Sequence, residues 1–183
     1  GSDSGYLLST GANSNTLIGQ GAGTAMTTST LNVAVGANAL DAATSATDAC
    51  IAIGVNAMGG AISSADLDGV VAVGYNAASS ALTADASHLV AIGHSAGYGN
   101  TSGQSNTFIG YQSGLENGIG DCNTSVGYNS FDDSLLTLQN DHNTFMGFDS
   151  GGGTWVTAAS SGNTGIGSTT LQGAMNAADY NTA

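Results

Sequence analysis

The nine residues NTFIGYQSG, from Asn106 to Gly114, recur in closely related form along the whole chain. Close copies are NTLIGQGAG from Asn15, NTSVGYNSF from Asn123 and NTFMGFDSG from Asn143. In each copy a large apolar residue precedes a glycine, and this glycine occurs nine times at intervals of 17 to 20 residues. Such a period indicates a repeat architecture, in which each unit buries its apolar side against the next. The repeat glycines are Gly19, Gly36, Gly54, Gly74, Gly93, Gly110, Gly127, Gly147 and Gly167.

Three residues before each repeat glycine have the pattern of a short strand. Counting the glycine as position 0, position −1 is always large and apolar, and position −3 is threonine or a β-branched aliphatic residue. Since alternate residues of a strand share a face, positions −1 and −3 are expected to fill the interior together. The predicted core residues at position −1 are Ile18, Val35, Ile53, Val73, Ile92, Ile109, Val126, Met146 and Ile166.

The rest of each unit indicates turns and a tight interior. Position +2 is mostly a polar residue that tolerates a turn, and position +3 is alanine or serine in most units. Asparagine at position −4 predicts a ladder of side-chain amides, interrupted in the middle units by Cys50, Val70 and Leu89. We therefore expect an all-β fold: one domain over residues 1–183, forming a parallel β-roll or β-solenoid of about nine to ten rungs, with strands ~4.8 Å apart.

The composition limits the partners of this chain. Among its 183 residues there is no lysine, arginine or proline, and 13 acidic residues give a formal net charge of −13. Such a surface repels phosphate backbones and anionic lipids, so we expect no nucleic-acid binding. No apolar run reaches the ~18 residues of a membrane span, so no membrane insertion is expected. The lack of cleavage sites for trypsin-like proteases fits an exposed, extracellular location.

Several units resemble a known family. NVAVGANAL, CIAIGVNAM, VVAVGYNAA and LVAIGHSAG resemble the head repeats of trimeric autotransporter adhesins, the YadA-like head. The NTFIGYQSG variety is similar to repeats of phage tail fibres and large bacterial surface fibres. The resemblance covers essentially the whole chain. It implies a left-handed β-roll, a homotrimer, and an adhesive or fibre-building role at a cell surface or on a virion tail fibre.

Two inserts depart from the adhesin repeats and are expected to project as loops. They span Gly59–Gly69 and Asn129–His142, and recognition of a host or surface glycan or a protein receptor would lie there. Paired carboxylates make Asp66 with Asp68, and Asp132 with Asp133, candidate ligand loops. Ca²⁺ is the ion that such oxygen ligands prefer, but neither pair has the spacing of a calcium loop. Solvated charge on a polar loop is the simpler interpretation.

Histidines and cysteines give weaker signals. His94 directly follows a repeat glycine and, in a trimer, could face the axis, where three copies would hold an ion. A surface or subunit-contact role is the simpler alternative, and His88 and His142 are expected at solvated loop ends. Cys50 and Cys122 would lie about four rungs apart, roughly 19 Å, which is too far for a disulfide.

No catalytic residues are expected. The segment GHSAG, Gly93–Gly97, is in register with the repeat and is therefore not a nucleophile elbow.

Aromatic residues cluster late in the chain, and those at position −2 are expected to fill a subunit interface. The cluster comprises Phe108, Tyr111, Tyr128, Phe131, Phe145, Phe148 and Trp155.

Two other functions stay open at this point. The first is a self-assembling filament subunit without a specific ligand, because Gly1–Gly5 matches the second half of a repeat and Asn181–Ala183 the first half. Such ends fit either a piece of a longer repetitive protein or a head-to-tail contact that completes a rung. The second is an ice-binding solenoid with a threonine array, which is weakened if the threonines at position −3 point inward.

Overall fold

The chain folds as a parallel β-solenoid. The structure, a computed structural model, describes residues 1–9, 11–44, 47–62, 67–134, 136–153, 158–173 and 177–183. These residues form eleven short strands and one 3₁₀ turn, Ala84–Ala86. The prediction of an all-β stack of parallel strands is confirmed. The strands are β1 (Thr16–Ile18), β2 (Val33–Val35), β3 (Thr47–Asp48), β4 (Ile51–Ile53), β5 (Leu67–Asp68), β6 (Val71–Val73), β7 (Val90–Ile92), β8 (Thr107–Ile109), β9 (Thr124–Val126), β10 (Thr144–Met146) and β11 (Thr164–Ile166).

Strand pairing follows the sequence repeat. Nine strands form one parallel sheet in the order β1-β2-β4-β6-β7-β8-β9-β10-β11, and β3 pairs with β5 in a separate two-stranded parallel sheet. Each strand of the large sheet covers positions −3 to −1 of its unit, and equivalent positions face each other, as with Thr107 and Thr124 or Ile109 and Val126. Each turn of the chain, called a rung below, is therefore stacked in register on the next.

The interior of the solenoid is lined by position −2, so the prediction that positions −1 and −3 fill it is wrong. At position −2, Ala52, Phe108 and Phe145 are fully buried. At position −1, six side chains are 36% to 61% exposed, and the three valines are half-buried. The threonines at position −3 share this outer face. The nine residues predicted as core that lie on the outer face are Ile18, Val35, Ile53, Val73, Ile92, Ile109, Val126, Met146 and Ile166.

The physical reason is that the interior is narrow. Side chains at positions −2 and +4 share the same space, so a large residue at one needs a small residue at the other. A Cβ on Gly114 would overlap the ring of Phe108, and a Cβ on Gly151 would overlap the ring of Phe145. The reverse arrangement pairs Ala52 with buried Met58. The phenylalanines at position −2 thus fill the core of their own chain, and the prediction that they fill a subunit interface is wrong.

Two predictions about the interior are confirmed. The small residues at position +3, alanine through Ala96 and serine from Ser113, are fully buried. The asparagines at position −4 form the expected ladder. The Oδ1 of Asn123 accepts hydrogen bonds from both the backbone N–H and the side-chain amide of Asn143, at 2.9 and 3.1 Å. Asn143 accepts the same pair of bonds from Asn163. The amides therefore tie consecutive rungs together inside the fold.

The inserts do more than project from the solenoid. In the first, Ile62 and Leu67 are buried, and Ile62 pairs with Ala43 in an isolated parallel bridge. In the second, Phe131 is fully buried and its ring lies 5.3 Å from that of Phe145. The inserts therefore contribute core residues as well as surface. Asp66 and Trp155 lie outside the described residues.

Successive rungs approach most closely at the repeat glycines. All nine have φ between +134° and +146°, a region that side chains strongly disfavour. A Cβ on Gly110 would overlap the carbonyl oxygen of Gly127 in the next rung, and the same overlap recurs at the repeat glycines from Gly19 to Gly147. We call the stacked repeat glycines the glycine column. Glycine is therefore required here both by backbone conformation and by space.

Replacing Gly110 with alanine is expected to lower the free energy of unfolding by at least about 3 kcal/mol, since both backbone strain and overlap must be relieved. Urea-induced unfolding followed by circular dichroism measures this. Gly173→Ala is the matched control, because no atom lies within 4 Å of a Cβ at Gly173. Equal stability of the two variants would contradict a requirement for glycine in the column.

Candidate functional site: an exposed apolar band

The outer face of the large sheet is apolar and uncovered. Position −1 places Ile18, Ile53, Ile92, Ile109, Met146 and Ile166 on this face, all exposed. The alternating residues at position −3 are threonine, valine or isoleucine, so the strands carry no charged side chain on this side. Monomeric soluble proteins seldom expose a contiguous apolar row of this length, and such a surface marks an interaction site.

A ladder of aromatic rings runs beside this row. Position +1 holds Tyr75, His94, Tyr111, Tyr128 and Phe148 in five consecutive rungs. Neighbouring ring centroids are 4.9 to 5.4 Å apart. Between Tyr111 and Phe148 the planes are within 10° of parallel. The four rings other than His94 are 40% to 55% exposed. The ladder is therefore an ordered surface whose ring edges and margins face solvent.

The row and the ladder are neighbours along the chain in each rung that has a ring. Only the repeat glycine separates positions −1 and +1 in each rung, and it has no side chain to divide them. We call the position −1 row together with the aromatic ladder the apolar band. The sequence did not reveal it, because the large residues at position −1 were assigned to the interior. The aromatic residues at position +1 were visible, and the repeat period alone places them one above another.

His94 lies in the middle of the ladder. Its ring centroid is 5.0 Å from that of Tyr75 and 5.1 Å from that of Tyr111. Its Nδ1 is hydrogen-bonded to the hydroxyl of Ser95 at 3.0 Å. In a single chain the imidazole is thus a member of the ring stack, and an axial ion site at His94 stays a prediction about an assembly.

A second feature is an acidic cleft lined by residues of four neighbouring rungs. Glu116, Asp132, Asp133 and Asp149 line a cavity of about 470 Å³. The cavity exists because Gly152 and Gly153 supply no side chains at this level. The Oδ1 atoms of Asp132 and Asp149 both lie beside Gly152, and Gln172 donates a hydrogen bond to Asp149. We call this set of residues the acidic cleft.

Negative charge is concentrated in the acidic cleft. Burial raises the pKa of Asp132 to about 6 against the opposing effect of a backbone hydrogen bond, and the carboxylates of Asp149, Asp133 and Glu116 raise it further. Burial and the Asp133 carboxylate also raise the pKa of Glu116. The chain has no lysine or arginine to neutralise these groups. The cleft therefore repels anions and attracts cations and protons.

The structure brings the predicted pair Asp132 and Asp133 together with Glu116 and Asp149, which the sequence had not suggested. The repeat period could have predicted part of this arrangement, because residues at the same position of consecutive units stack. Position +5 is occupied by Leu115, Asp132, Gly152 and Gln172. Within the described residues, no three His, Cys, Asp or Glu side chains are grouped so as to hold a metal ion. The geometry thus adds no support to a Ca²⁺ site at this insert.

The remaining predicted residues lie apart from both surfaces. Asp68 is exposed on β5, where its backbone amide donates to the hydroxyl of Ser87. His88 and His142 are exposed at turn residues with φ of 61° and 58°, as expected for loop ends. Cys122 is exposed and Cys50 is buried, and both thiols are free. Burial raises the pKa of Cys50 to about 11.

Comparisons with known proteins found no match. No protein-family model matches it, and no curated protein or solved structure shows significant similarity to it. Among the residues that the structure describes, no helix has the length and apolar character needed to cross a membrane.

The acidic cleft gives stability a defined pH dependence. Folding raises the pKa of Asp132, so the protonated carboxyl stabilises the folded chain. This contribution to the free energy of unfolding is present at low pH and is lost as pH rises through about 6. Asp132→Asn should therefore be more stable than the natural chain at pH 8, by about 1 kcal/mol once solvent screening is allowed for. The difference should shrink towards pH 5.

Urea unfolding at pH 5, 6, 7 and 8 measures this effect. Asp85→Asn, an exposed carboxylate outside the acidic cleft, is the control and should change stability by less than about 0.5 kcal/mol at every pH. A destabilised Asp132→Asn variant at pH 8 would mean that the carboxylate has a compensating partner.

Proposed function

We propose that this chain is the rod-forming module of an extracellular fibre, such as an adhesin head or a tail-fibre segment. Three copies would pack side by side through the apolar band into a homotrimer, and the two inserts would carry recognition of a surface. The observation that carries the proposal is the apolar row on the outer face of the large sheet. A side that is this apolar and this long is best explained by a partner of the same length.

The in-register stack supports the structural part of this role. Nine strands pair in one parallel sheet, and asparagine amides connect consecutive rungs. At the repeat glycines the backbones of consecutive rungs are in close contact. Each rung contacts mainly its neighbours, as in other solenoids, so length adds reach without changing the cross-section. A stiff element that places a surface at a distance is what a fibre needs.

The homotrimer and the left-handed coil come from the resemblance to YadA-like head repeats, whereas the number of about nine to ten rungs comes from the repeat period. The charge distribution is compatible with side-by-side packing. A net charge of −13 per chain makes copies repel each other over most of their surface. The outer face of the large sheet carries no charged side chain, so it is the side on which copies can meet at the lowest electrostatic cost.

Recognition is assigned to the inserts because they do not repeat. The second insert borders the acidic cleft through Asp132 and Asp133. The negative charge of the acidic cleft repels nucleic acids and acidic glycans. Neutral glycans, or protein receptors with basic groups, are therefore the proposed partners. The location that follows is a cell surface or a virion tail fibre.

The test of assembly is a double substitution on the outer face. Ile92→Asp with Ile109→Asp places two charges on exposed positions, so the solenoid should stay folded while association is lost. Sedimentation velocity should show a trimer for the natural chain and a monomer for the variant. Leu7→Asp with Tyr98→Asp, two exposed apolar residues off the apolar band, is the control and should remain trimeric.

A natural chain that is monomeric at all concentrations would refute the proposal, and long open polymers would favour a filament subunit.

One observation favours a second candidate, an ice-binding solenoid. The expectation that threonines at position −3 point inward is wrong, since Thr16 is exposed and Thr107 and Thr124 are half-buried on the outer face. Regularly spaced threonines on a flat, uncharged sheet can order water. The middle rungs have valine or isoleucine at this position instead, so the array is interrupted. A monomer that shows thermal hysteresis in ice-growth measurements would support this candidate over the fibre module.

A further inference from the structure

The aromatic ladder occupies only part of the apolar band. The rings begin at Tyr75 and end at Phe148, whereas position +1 in the other rungs holds Gln20, Ala37, Val55 and Ser168. The position −1 row, in contrast, runs over all nine strands of the large sheet. The ladder is thus an additional feature of five rungs, since the other four rungs stack without aromatic rings at position +1.

Stacking within the chain leaves a large part of the rings uncovered. Tyr75, Tyr111, Tyr128 and Phe148 keep 40% to 55% of their surface exposed although each touches another ring. The contacts between rings hold the side chains in one arrangement before any partner arrives. Binding through a pre-ordered aromatic surface therefore costs little side-chain entropy.

The ladder enlarges the exposed apolar surface to the size of a stable interface. The six exposed side chains of the position −1 row offer roughly 500 Å² in total, below the roughly 800 Å² that each partner contributes to a stable interface. The four rings add roughly 400 Å², given the 150–250 Å² of a whole aromatic side chain. Row and ladder together reach the required size.

Charge indicates the kind of partner. The ladder contains no carboxylate, and the neighbouring position +2 column contains none from Asn56 to Asn129. Carboxylates resume only at Asp149, at the end of the ladder. A second copy of this chain, which is acidic elsewhere, can therefore approach along the ladder without bringing carboxylates together.

We infer that the aromatic ladder is a contact surface between copies of this chain and supplies much of the binding energy of the assembly. The inference rests on the proposed function, since it names the part of the surface on which side-by-side packing depends. It places the strongest contacts in the rungs from Tyr75 to Phe148, because the large aromatic anchors that dominate interface energies are found there.

The test removes two central rings from the full chain. Tyr111→Ser with Tyr128→Ser should raise the dissociation constant of the assembly about 100-fold, roughly tenfold for each ring, in a sedimentation concentration series. Tyr111→Phe with Tyr128→Phe keeps both rings and should assemble like the natural chain. Tyr6→Ser with Tyr98→Ser removes two exposed tyrosines off the ladder and should also leave the dissociation constant unchanged. Circular dichroism confirms that each variant is folded.

The outcomes separate this inference from the proposal on which it rests. A natural chain that assembles, with a serine double variant that assembles equally well, would overturn the role of the ladder and leave the fibre module intact. A natural chain that never assembles would overturn both. If the serine variant assembled normally but lost binding to neutral polysaccharides, the ladder would be a glycan site and the inference would also be wrong.

Discussion

The close approach of consecutive rungs at the glycine column is the constraint on which the rest of the structure depends. At eight of the nine repeat glycines a side chain would overlap the backbone of the next rung, as Gly110 shows against Gly127. Rungs this close form a narrow coil, and a large residue at position −2 or +4 fits inside it where a small residue faces it. The amide ladder at position −4 then satisfies backbone groups inside the coil, where water has no access.

A narrow interior also determines what the outside looks like. The interior is filled from position −2, and neighbouring residues of a strand face opposite ways. The large residues at position −1 therefore lie outside, where they form a row beside the aromatic ladder. An apolar surface that the chain cannot bury by itself needs a partner. The interaction surface and the stability of the solenoid therefore arise from the same constraint, and this links the repeat to the proposed assembly.

The period, strand positions, glycines and asparagine ladder could all be predicted, because each depends on residues that repeat in register. The inward face could not be predicted from residue size alone, since large apolar residues at position −1 resemble core residues. A reciprocal signal was present: Phe108 with Gly114, Ser125 with Phe131, and Phe145 with Gly151 exchange volume between positions −2 and +4. The acidic cleft was harder to foresee, because it needs carboxylates from three rungs around the gap at Gly152.

The most direct measurement compares the stability of two neighbouring truncations, Phe108→Ala and Ile109→Ala, by urea unfolding at concentrations where the chain is monomeric. Phe108 is fully buried and Ile109 lies on the outer face. The account predicts a loss of about 3 to 5 kcal/mol for Phe108→Ala, as expected for a cavity in the core, and of less than about 1 kcal/mol for Ile109→Ala. A larger loss for Ile109→Ala than for Phe108→Ala would contradict the assignment of the inner and outer faces, and with it the apolar band.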